Sequence, residues 1–143
     1  MNIASLLKAK GRAVATARQD ATLLDIASQL SSKGIGAIVV VNERDEVIGI
    51  VSERDLVKTI GARGAGSLSL PVGEVMTQNV ITCTEDRTIE DLMGIMTSGR
   101  FRHVPVVEGG RLVGIISIGD VVKNHIAAVE MEVSAMRDYL STG

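Results

Sequence analysis

The chain has 143 residues, 45% of them hydrophobic, a formal net charge of −2 and only two aromatic residues, Phe101 and Tyr139. This length fits one compact domain with an aliphatic core. The scarcity of aromatic residues and the lack of a basic run argue against a nucleic-acid groove, because such grooves need stacking platforms and positive charge.

Neither a membrane helix nor a signal peptide is expected. No apolar run approaches the roughly 18 residues that span a membrane, and the N-terminus lacks a basic start followed by a long apolar run. The single cysteine, Cys83, cannot form an internal disulfide, which favours a cytoplasmic protein. We interpret it as a small apolar strand residue, with a reactive thiol as the less favoured alternative.

Most of the chain consists of two copies of one unit, residues 14–58 and 80–123. Thr22 matches Thr88 at a spacing of 66 residues (88 − 22), and Gly49 matches Gly114 at 65 (114 − 49). The one-residue difference falls in a polar turn. Duplicated units of this size usually pair around a pseudo-two-fold axis, so we expect two halves that share a core and a ligand cleft between them.

Each copy is predicted to be a βαββα unit. In the first copy, residues 14–16, 37–41 and 47–51 form strands, with helices from residue 22 and from residue 52 to about residue 60. In the second copy, residues 80–82, 104–107 and 111–116 form strands, with helices over about residues 88–98 and from residue 117. Residues 61–67 are predicted to be a flexible connector.

Short amphipathic segments precede each copy, at residues 3–7 and 72–76, and a further helix follows the second. Apolar residues of that C-terminal helix are spaced 3, 4, 3 and 4 between Ile126 and Leu140, which suits packing against the module or a second subunit. The predicted fold class is α+β: repeat 1 with its linker at residues 1–66, repeat 2 at 67–125 and a C-terminal helix at 126–143.

The residues with chemical potential lie in two matching segments, in which a strand ends at a serine and an aspartate follows three residues later. Ser52 and Asp55 form the first pair, and Ser117 and Asp120 form the second. One interpretation is a capping box, which satisfies the first N–H groups of a helix. The other is a ligand site, because a helix N-terminus attracts anions and a carboxylate can accept both hydroxyls of a ribose. The two interpretations are compatible, and both stay open.

These features resemble a tandem pair of CBS domains, a regulatory βαββα module found in many enzymes and channels and as stand-alone proteins. The resemblance rests on Val-Met-Thr at residues 75–77, the buried hairpin strands, Phe-Arg-His-Val-Pro-Val-Val at residues 101–107 and Gly-x-x-Ser-x-x-Asp in both halves. It implies a homodimer and a cleft with two quasi-equivalent sites for adenosine-containing ligands such as AMP, ATP, NAD(H) or S-adenosylmethionine.

Each implied site joins the serine and aspartate of one repeat to strand residues of the other. The residues expected at the first site are Thr16, Ala21, Ile35, Gly36, Ala37, Ser117 and Asp120, with Arg102 and His103 at its phosphate end. The residues expected at the second, quasi-equivalent site are Ser52, Asp55, Thr82, Arg87, Phe101, Arg102 and His103.

The two sites differ in their walls. Small residues surround the Asp120 site, whereas Arg87, Arg102 and His103 at the matching positions of the Asp55 site would crowd a base. We therefore predict one dominant adenine site at Asp120, with Arg102 and His103 binding phosphate. The alternatives are a solvated charge for Arg102 and a satisfied polar residue for His103.

Two further residues have open interpretations. Pro105 within a strand indicates either an edge strand or a deliberately open backbone, since proline cannot donate to a ladder. Arg54, which replaces the glycine at the matching position of repeat 2, could reach a second phosphate or a neighbouring subunit.

The expected function is regulatory adenine-nucleotide binding that reports energy or redox state to a separate protein, with no catalytic cofactor. Catalysis and metal binding are not expected. His103 and His125 have no ligand spacing with Cys83 or the carboxylates, and no candidate nucleophile has a base beside it in sequence. The alternative function is a scaffold that binds no ligand, dimerises and docks on a partner enzyme.

Overall fold

The computed structural model describes residues 1–142, and Gly143, the last residue of the predicted C-terminal unit, lies outside the described residues. The described chain is α+β, as predicted, and contains two related repeats and a long C-terminal helix. The first part consists of α1 (Ile3–Lys10), β1 (Thr16–Ala17), α2 (Leu23–Lys33), β2 (Ala37–Val41), β3 (Val47–Ser52) and α3 (Glu53–Arg63). The second part consists of α4 (Ile89–Gly99), β4 (His103–Glu108), β5 (Arg111–Ser117) and α5 (Ile118–Thr142).

Three helices begin where the sequence places a side-chain cap. Thr22, Ser52 and Thr88 each accept a hydrogen bond from the backbone N–H three residues on, and the aspartate at that position bonds back to the cap residue. These capping boxes satisfy backbone donors that have no partner within the helix and therefore define where α2, α3 and α4 start.

The connector between the repeats is ordered rather than flexible. Helix α3 extends to Arg63, and two 3₁₀ turns, Ala65–Ser69 and Val72–Glu74, follow it. The side chain of Ser67 is buried, and its hydroxyl donates to the carbonyl of Gly64 at 2.7 Å. The glycine-rich composition misled the prediction here, because packing against the first repeat holds this segment in place.

The segments that precede the two repeats are exchanged. Helix α1 precedes repeat 1 but packs into repeat 2, where Ile3, Leu6 and Leu7 belong to its hydrophobic cluster. The segment that precedes repeat 2 packs into repeat 1, where Val72 is fully buried and its N–H donates to the carbonyl of Ala21 at 2.7 Å. This exchange ties the two repeats to each other at both ends of the cleft.

Two hydrophobic clusters form the interior, one in each repeat, in place of the shared core that we expected. The repeat 2 cluster contains Ile3, Leu6, Leu7, Cys83, Ile89, Leu92, Met96, Val104, Val106, Ile116 and Val121. The repeat 1 cluster contains Leu23, Ile26, Leu30, Ile38, Val40, Val51, Leu56 and Val72. Each cluster is closed by the exchanged segment of the other half, so neither repeat buries its core without its partner.

The sheets of the two repeats differ in one strand. In repeat 1, β1 pairs with β2 in parallel and β2 pairs with β3 in antiparallel fashion. In repeat 2, β4 and β5 form an antiparallel pair, and the third strand predicted at residues 80–82 is reduced to a single parallel bridge between Cys83 and Val106. That strand prediction is wrong because a parallel ladder needs a backbone N–H from Pro105, which proline lacks.

Helix α5 is one continuous helix of 25 residues that begins in repeat 2 and extends away from it. Side chains 125–141 are all exposed, including Ile126, Val133 and Leu140 of the apolar stripe. Packing of this segment against its own module, one of the two expected arrangements, is therefore not observed among the described residues. No described helix is both long and apolar enough to cross a membrane.

Candidate functional site

The two serine–aspartate pairs have almost the same geometry. The Ser52 N–H donates to Asp55 Oδ2 at 2.8 Å, and the Ser117 N–H donates to Asp120 Oδ2 at 2.8 Å. In both pairs the serine hydroxyl lies within hydrogen-bond distance of the same carboxylate oxygen. Both aspartates therefore cap a helix through Oδ2, and these bonds leave Oδ1 of each carboxylate outside the cap.

A cavity of about 230 Å³ lies beside Asp55, between the two repeats. Its walls come from the strand and helix ends of repeat 1 and from the segments before α4 and β4 of repeat 2. The lining residues are Gly36, Ala37, Ile50, Ser52, Glu53, Arg54, Asp55, Thr77, Asn79, Val80, Ile81, Arg100, Phe101, Arg102 and His103. The geometry offers two acidic groups, several cationic groups and apolar side chains around one volume.

Three arginines bring positive charge to this cavity. Arg54 lies in the first turn of α3, and Arg100 and Arg102 lie on either side of Phe101 before β4. A guanidinium presents several N–H donors in a planar fork that matches the oxygens of a phosphate. The cavity therefore has the chemistry to receive an anionic group next to an apolar surface.

His103 lies at the centre of the cleft and is half-buried. Burial lowers the pKa of its imidazole below the ordinary value, and the nearby Lys10 ammonium lowers it further, while Glu53 and Asp120 act in the opposite direction. A Cβ atom added at Gly36 would lie only 3.4 Å from the imidazole, so the glycine permits the close approach of His103. The neutral imidazole can donate or accept a hydrogen bond at this point.

Asp120 has a partner that Asp55 does not share. Lys10 Nζ lies 2.6 Å from Asp120 Oδ2 and also donates to the carbonyl of Ile115 at 2.6 Å. Burial raises the pKa of the Asp120 carboxyl, but hydrogen bonds from Lys10 and Ser117 outweigh it and hold the pKa below the usual value. The carboxylate of the predicted main site is thus ion-paired within the chain.

The residues predicted for the Asp120 site have different surroundings in the structure. Gly36, Ala37, Arg102 and His103 line the cavity beside Asp55, together with Ser52. Elsewhere, Thr16 lines a separate surface groove, Ala21 and Ile35 pack partly buried against the repeat 1 cluster, and Thr82 is half-buried next to Cys83. Of the three residues expected to crowd the Asp55 side, Arg102 and His103 line this cavity, and Arg87 is not among its lining residues.

Sequence reasoning missed several residues at the two sites, among them Arg100, Asn79 and Lys10. Arg100 adopts a left-handed backbone conformation with φ 58°, as its repeat 1 counterpart Gly34 does with φ 60°. An arginine at a position that favours glycine was the available signal, because such conformations in non-glycine residues often mark functional sites. Asn79 and Lys10 carried no comparable signal, and Lys10 meets Asp120 across 110 residues of sequence.

Cys83 is a core residue in the structure. Its side chain is buried beside β4, and burial raises the pKa of the thiol to about 11, with Arg87 acting against the shift. A thiol of this kind is almost entirely protonated at neutral pH and is a poor nucleophile. Among the described residues, no group of three or more histidine, cysteine or acidic side chains is arranged to hold a metal ion.

Comparison with known proteins decides the family. The model of the CBS domain matches residues 11–62 and again residues 72–126. The chain belongs to the CBS domain family. Its two CBS repeats coincide with the two halves that enclose the cavity, so the cavity lies at the junction of a CBS pair.

Solved CBS structures share this architecture. A CBS-domain protein from Agrobacterium tumefaciens, ATU1752, is 50% identical, with a TM-score of 0.84 over 87% of this chain and 99% of its own. The CBS pair of protein MJ0100, solved with 5′-methylthioadenosine and S-adenosyl-L-methionine, is 25% identical, with a TM-score of 0.80 over 90% of this chain and 98% of its own. PAE2072 from Pyrobaculum aerophilum, solved with AMP, is 26% identical, with a TM-score of 0.76 over 84% of this chain and 89% of its own.

Proposed function

We propose that this CBS pair is a non-catalytic regulatory module that binds an adenosine-containing ligand between its repeats, mainly at Asp55. The observation that carries the proposal is the cavity in which Asp55 and Ser52 of one repeat face Phe101 and His103 of the other. The ligands of the two similar CBS structures, AMP in one and adenosine derivatives in the other, support this ligand class.

In the proposed complex, the ribose binds at the N-terminus of α3. Asp55 Oδ2 accepts the cap bonds, so Oδ1 is the oxygen placed to accept ribose hydroxyls. The apolar side chains of Ile50, Val80 and Ile81 border the same volume and suit the faces of a purine. The polar groups would fix the orientation of the ligand, and the apolar side chains would supply most of the contact area, as in most small-molecule sites.

Within this ligand class, the charges favour a phosphate-bearing ligand such as AMP, ATP or NAD(H). Arg54, Arg100 and Arg102 border the cavity, and His103 lines it beside them. 5′-Methylthioadenosine has no anionic group, and S-adenosylmethionine has one carboxylate beside a positive sulfonium, so both would gain less than a phosphate from three guanidinium groups. Arg102 and His103 thus keep the phosphate role predicted from the sequence, now beside Asp55.

This assignment reverses the predicted ranking of the two sites. Dominant binding at Asp120 stays a prediction, but the ion pair with Lys10 favours Asp55 as the main site. A neutral ribose hydroxyl makes a weaker bond to a carboxylate than an ammonium does, so a ligand gains less at Asp120.

The proposed output is a change in the relative orientation of the repeats. A ligand that contacts both repeats binds best to one orientation and shifts the population towards it. A separate protein would read this change, in a reducing compartment such as the cytoplasm, where the single cysteine suits the redox conditions. The exposed apolar stripe of α5 supports a homodimer, because large exposed apolar patches commonly mark interaction surfaces.

Calorimetric titration with AMP tests the proposal through two matched variants, Asp55→Asn and Asp120→Asn. Both replacements disturb a helix cap of nearly equal geometry, so loss of the cap alone cannot explain a difference in AMP affinity between them. We expect Asp55→Asn to weaken AMP by at least about tenfold, since a hydrogen bond to a charged group contributes roughly 1.5–3 kcal/mol. Asp120→Asn should leave the affinity within about threefold of wild type.

A thermal-melt panel separates this function from the scaffold alternative. A bound ligand at 100 times its Kd stabilises the folded state by about 2.7 kcal/mol and raises the melting temperature. If AMP, ATP, NADH and adenosine all leave the melting temperature of the wild-type chain unchanged, the ligand-binding function is wrong and the scaffold function is favoured.

A further inference from the structure

The two halves of the cleft differ in what contacts the strand before each serine. In repeat 1, the backbone of Ile50 exchanges two hydrogen bonds with Thr77, at 3.1 and 2.9 Å, and Thr77 lines the cavity. In repeat 2, the matching residue is Ile115, at a spacing of 65 (115 − 50), and its carbonyl accepts a hydrogen bond from Lys10 Nζ instead. The Lys10 ammonium thus lies beside Asp120, whereas the matching part of repeat 1 contains the backbone of Thr77 and the cavity.

Lys10 is held in this position by the packing of α1. Ile3 and Leu7 are fully buried in the repeat 2 cluster, and the Ile3 N–H donates to the carbonyl of Arg87 at 2.9 Å. Gly114 permits the contact, because a Cβ atom there would lie 2.7 Å from Leu7 Cδ2. The helix therefore carries Lys10, in its last turn, to a position beside Asp120.

The ammonium neutralises the carboxylate that a ribose would use, by pairing with Oδ2, the same oxygen that accepts the cap bonds. It bonds to the Asp120 carboxylate and to the Ile115 carbonyl, both at 2.6 Å. An ammonium adds Coulomb attraction to its hydrogen bond with a carboxylate, which a neutral ribose hydroxyl cannot supply. The pair is also partly shielded from solvent, with 31% of the Lys10 and 24% of the Asp120 side chain exposed. A nucleoside hydroxyl at the remaining oxygen, Oδ1, would therefore meet a carboxylate whose charge Lys10 already balances.

We propose that Lys10 acts as an internal ligand of the second CBS site, so that each chain binds one adenosine ligand rather than two. The inference rests on the proposed function, since it assumes that the Asp55 site binds such a ligand. Asp120 would then belong to a latent site for the same class of ligand, and α1 would close that site. Lys10 would be the residue that sets how many ligands each chain binds.

The experiment is calorimetric titration with AMP of the full chain and three variants. Wild type should bind one equivalent per chain, and Lys10→Ala should bind two. The double variant Lys10→Ala/Asp120→Asn should return to one equivalent. Lys8→Ala serves as the matched control, because Lys8 is an exposed lysine of the same helix turn, and it should behave as wild type.

Each possible outcome has a distinct meaning. If wild type binds AMP but Lys10→Ala still binds one equivalent, the inference is wrong and the proposed function stands. If Lys10→Ala loses AMP, Lys10 is a phosphate ligand and the inference is overturned. If wild type binds no adenosine ligand, the proposed function and the inference fall together. Where Lys10→Ala unfolds, Lys10→Met keeps the alkyl chain of α1 and removes only the charge.

A second readout is independent of ligand. The carboxyl pKa of Asp120, followed by NMR, should rise in both Lys10 variants because a hydrogen-bond donor to the carboxylate is lost. An unchanged pKa would mean that Lys10 does not engage Asp120 in solution, and this would overturn the inference without any titration.

Discussion

Val39 and Pro105 occupy the same position in the two repeats, but only Val39 donates a hydrogen bond to the neighbouring strand. The Val39 N–H bonds to the carbonyl of Ala15 at 3.2 Å, and β1 continues the ladder beyond it. Pro105, 66 residues later (105 − 39), has no N–H, so the corresponding carbonyl of Ile81 cannot be engaged. The ladder stops at Cys83, and Ile81 lines the cavity instead.

Replacing Pro105 with valine should extend this ladder and narrow the cavity. The restored N–H can bond to the carbonyl of Ile81, which would stabilise the fold by about 1 kcal/mol. It would also draw Ile81 into the sheet and weaken AMP binding by several-fold. Chemical denaturation and calorimetry measure the two effects.

The reciprocal variant Val39→Pro is the control for this exchange. It removes the bond to Ala15 and should destabilise the chain by more than about 1 kcal/mol. A Pro105→Val variant with wild-type AMP affinity would show that the open backbone has no part in ligand binding.

Arg100→Gly should raise stability and lower nucleotide affinity at the same time. Arg100 holds a left-handed conformation with φ 58°, which costs a residue with a side chain roughly 1–2 kcal/mol relative to glycine. Glycine removes this strain but also removes a guanidinium from the cavity, so AMP affinity should fall by about three- to tenfold. Equilibrium unfolding in urea would measure the gain in stability, and titration with AMP would measure the loss of affinity.

The control for Arg100 is Arg100→Lys, which keeps both the side chain and the charge. It should retain the wild-type stability and most of the AMP affinity. A gain in stability without any loss of AMP affinity in Arg100→Gly would mean that Arg100 does not contact phosphate.

Arg102→Gln should distinguish AMP from adenosine. Arg102 is exposed at the start of β4, so its removal leaves the core intact. Loss of a charge-assisted contact should weaken AMP by about tenfold or more, whereas adenosine, which carries no phosphate, should be affected less than about twofold. Equal weakening of both ligands in calorimetry would assign Arg102 to the nucleoside or to the fold.

Binding of AMP should become tighter as the pH falls, through His103. Its folded-state pKa lies below the ordinary value of 6.5, so the imidazole is neutral at pH 7 and its protonation in the free protein is disfavoured. A bound phosphate would stabilise the imidazolium and raise that pKa, and binding would then take up a proton. Each pKa unit of increase strengthens binding by up to about tenfold below the bound-state pKa.

The measurement for His103 is the ratio of wild-type to His103→Asn affinities between pH 7.5 and pH 5.5. Protonation of AMP itself cancels in this ratio, because both proteins bind the same ligand. A ratio that stays constant over the range would contradict the role of His103.

The folding stability of the free protein also depends on pH through His103. The stability that comes from the neutral imidazole is present above pH 6.5 and is lost as the pH falls.

Local features were readable from the sequence because they depend on neighbours in the chain. The caps at Thr22, Ser52 and Thr88 form between residues three apart, and the buried strand at 37–41 follows from a run of β-branched side chains. Both serine–aspartate pairs were likewise identified, since they form within single segments. The prediction failed for the strand at 80–82, because it relied on the apolar composition of that segment and did not take account of Pro105, which lies far away in the sequence.

The duplication, the α+β class and membership of the CBS family follow from the amino-acid order alone, since they rest on spacings and motifs within each repeat. Tertiary structure decided which aspartate faces an open cavity. Lys10 reaches Asp120 because α1 is exchanged into the other repeat, and Arg100 reaches the cleft because its backbone takes up a left-handed turn. Two motifs of equal sequence and equal local geometry thus differ in what surrounds them, and the surroundings come from segments far away in the chain.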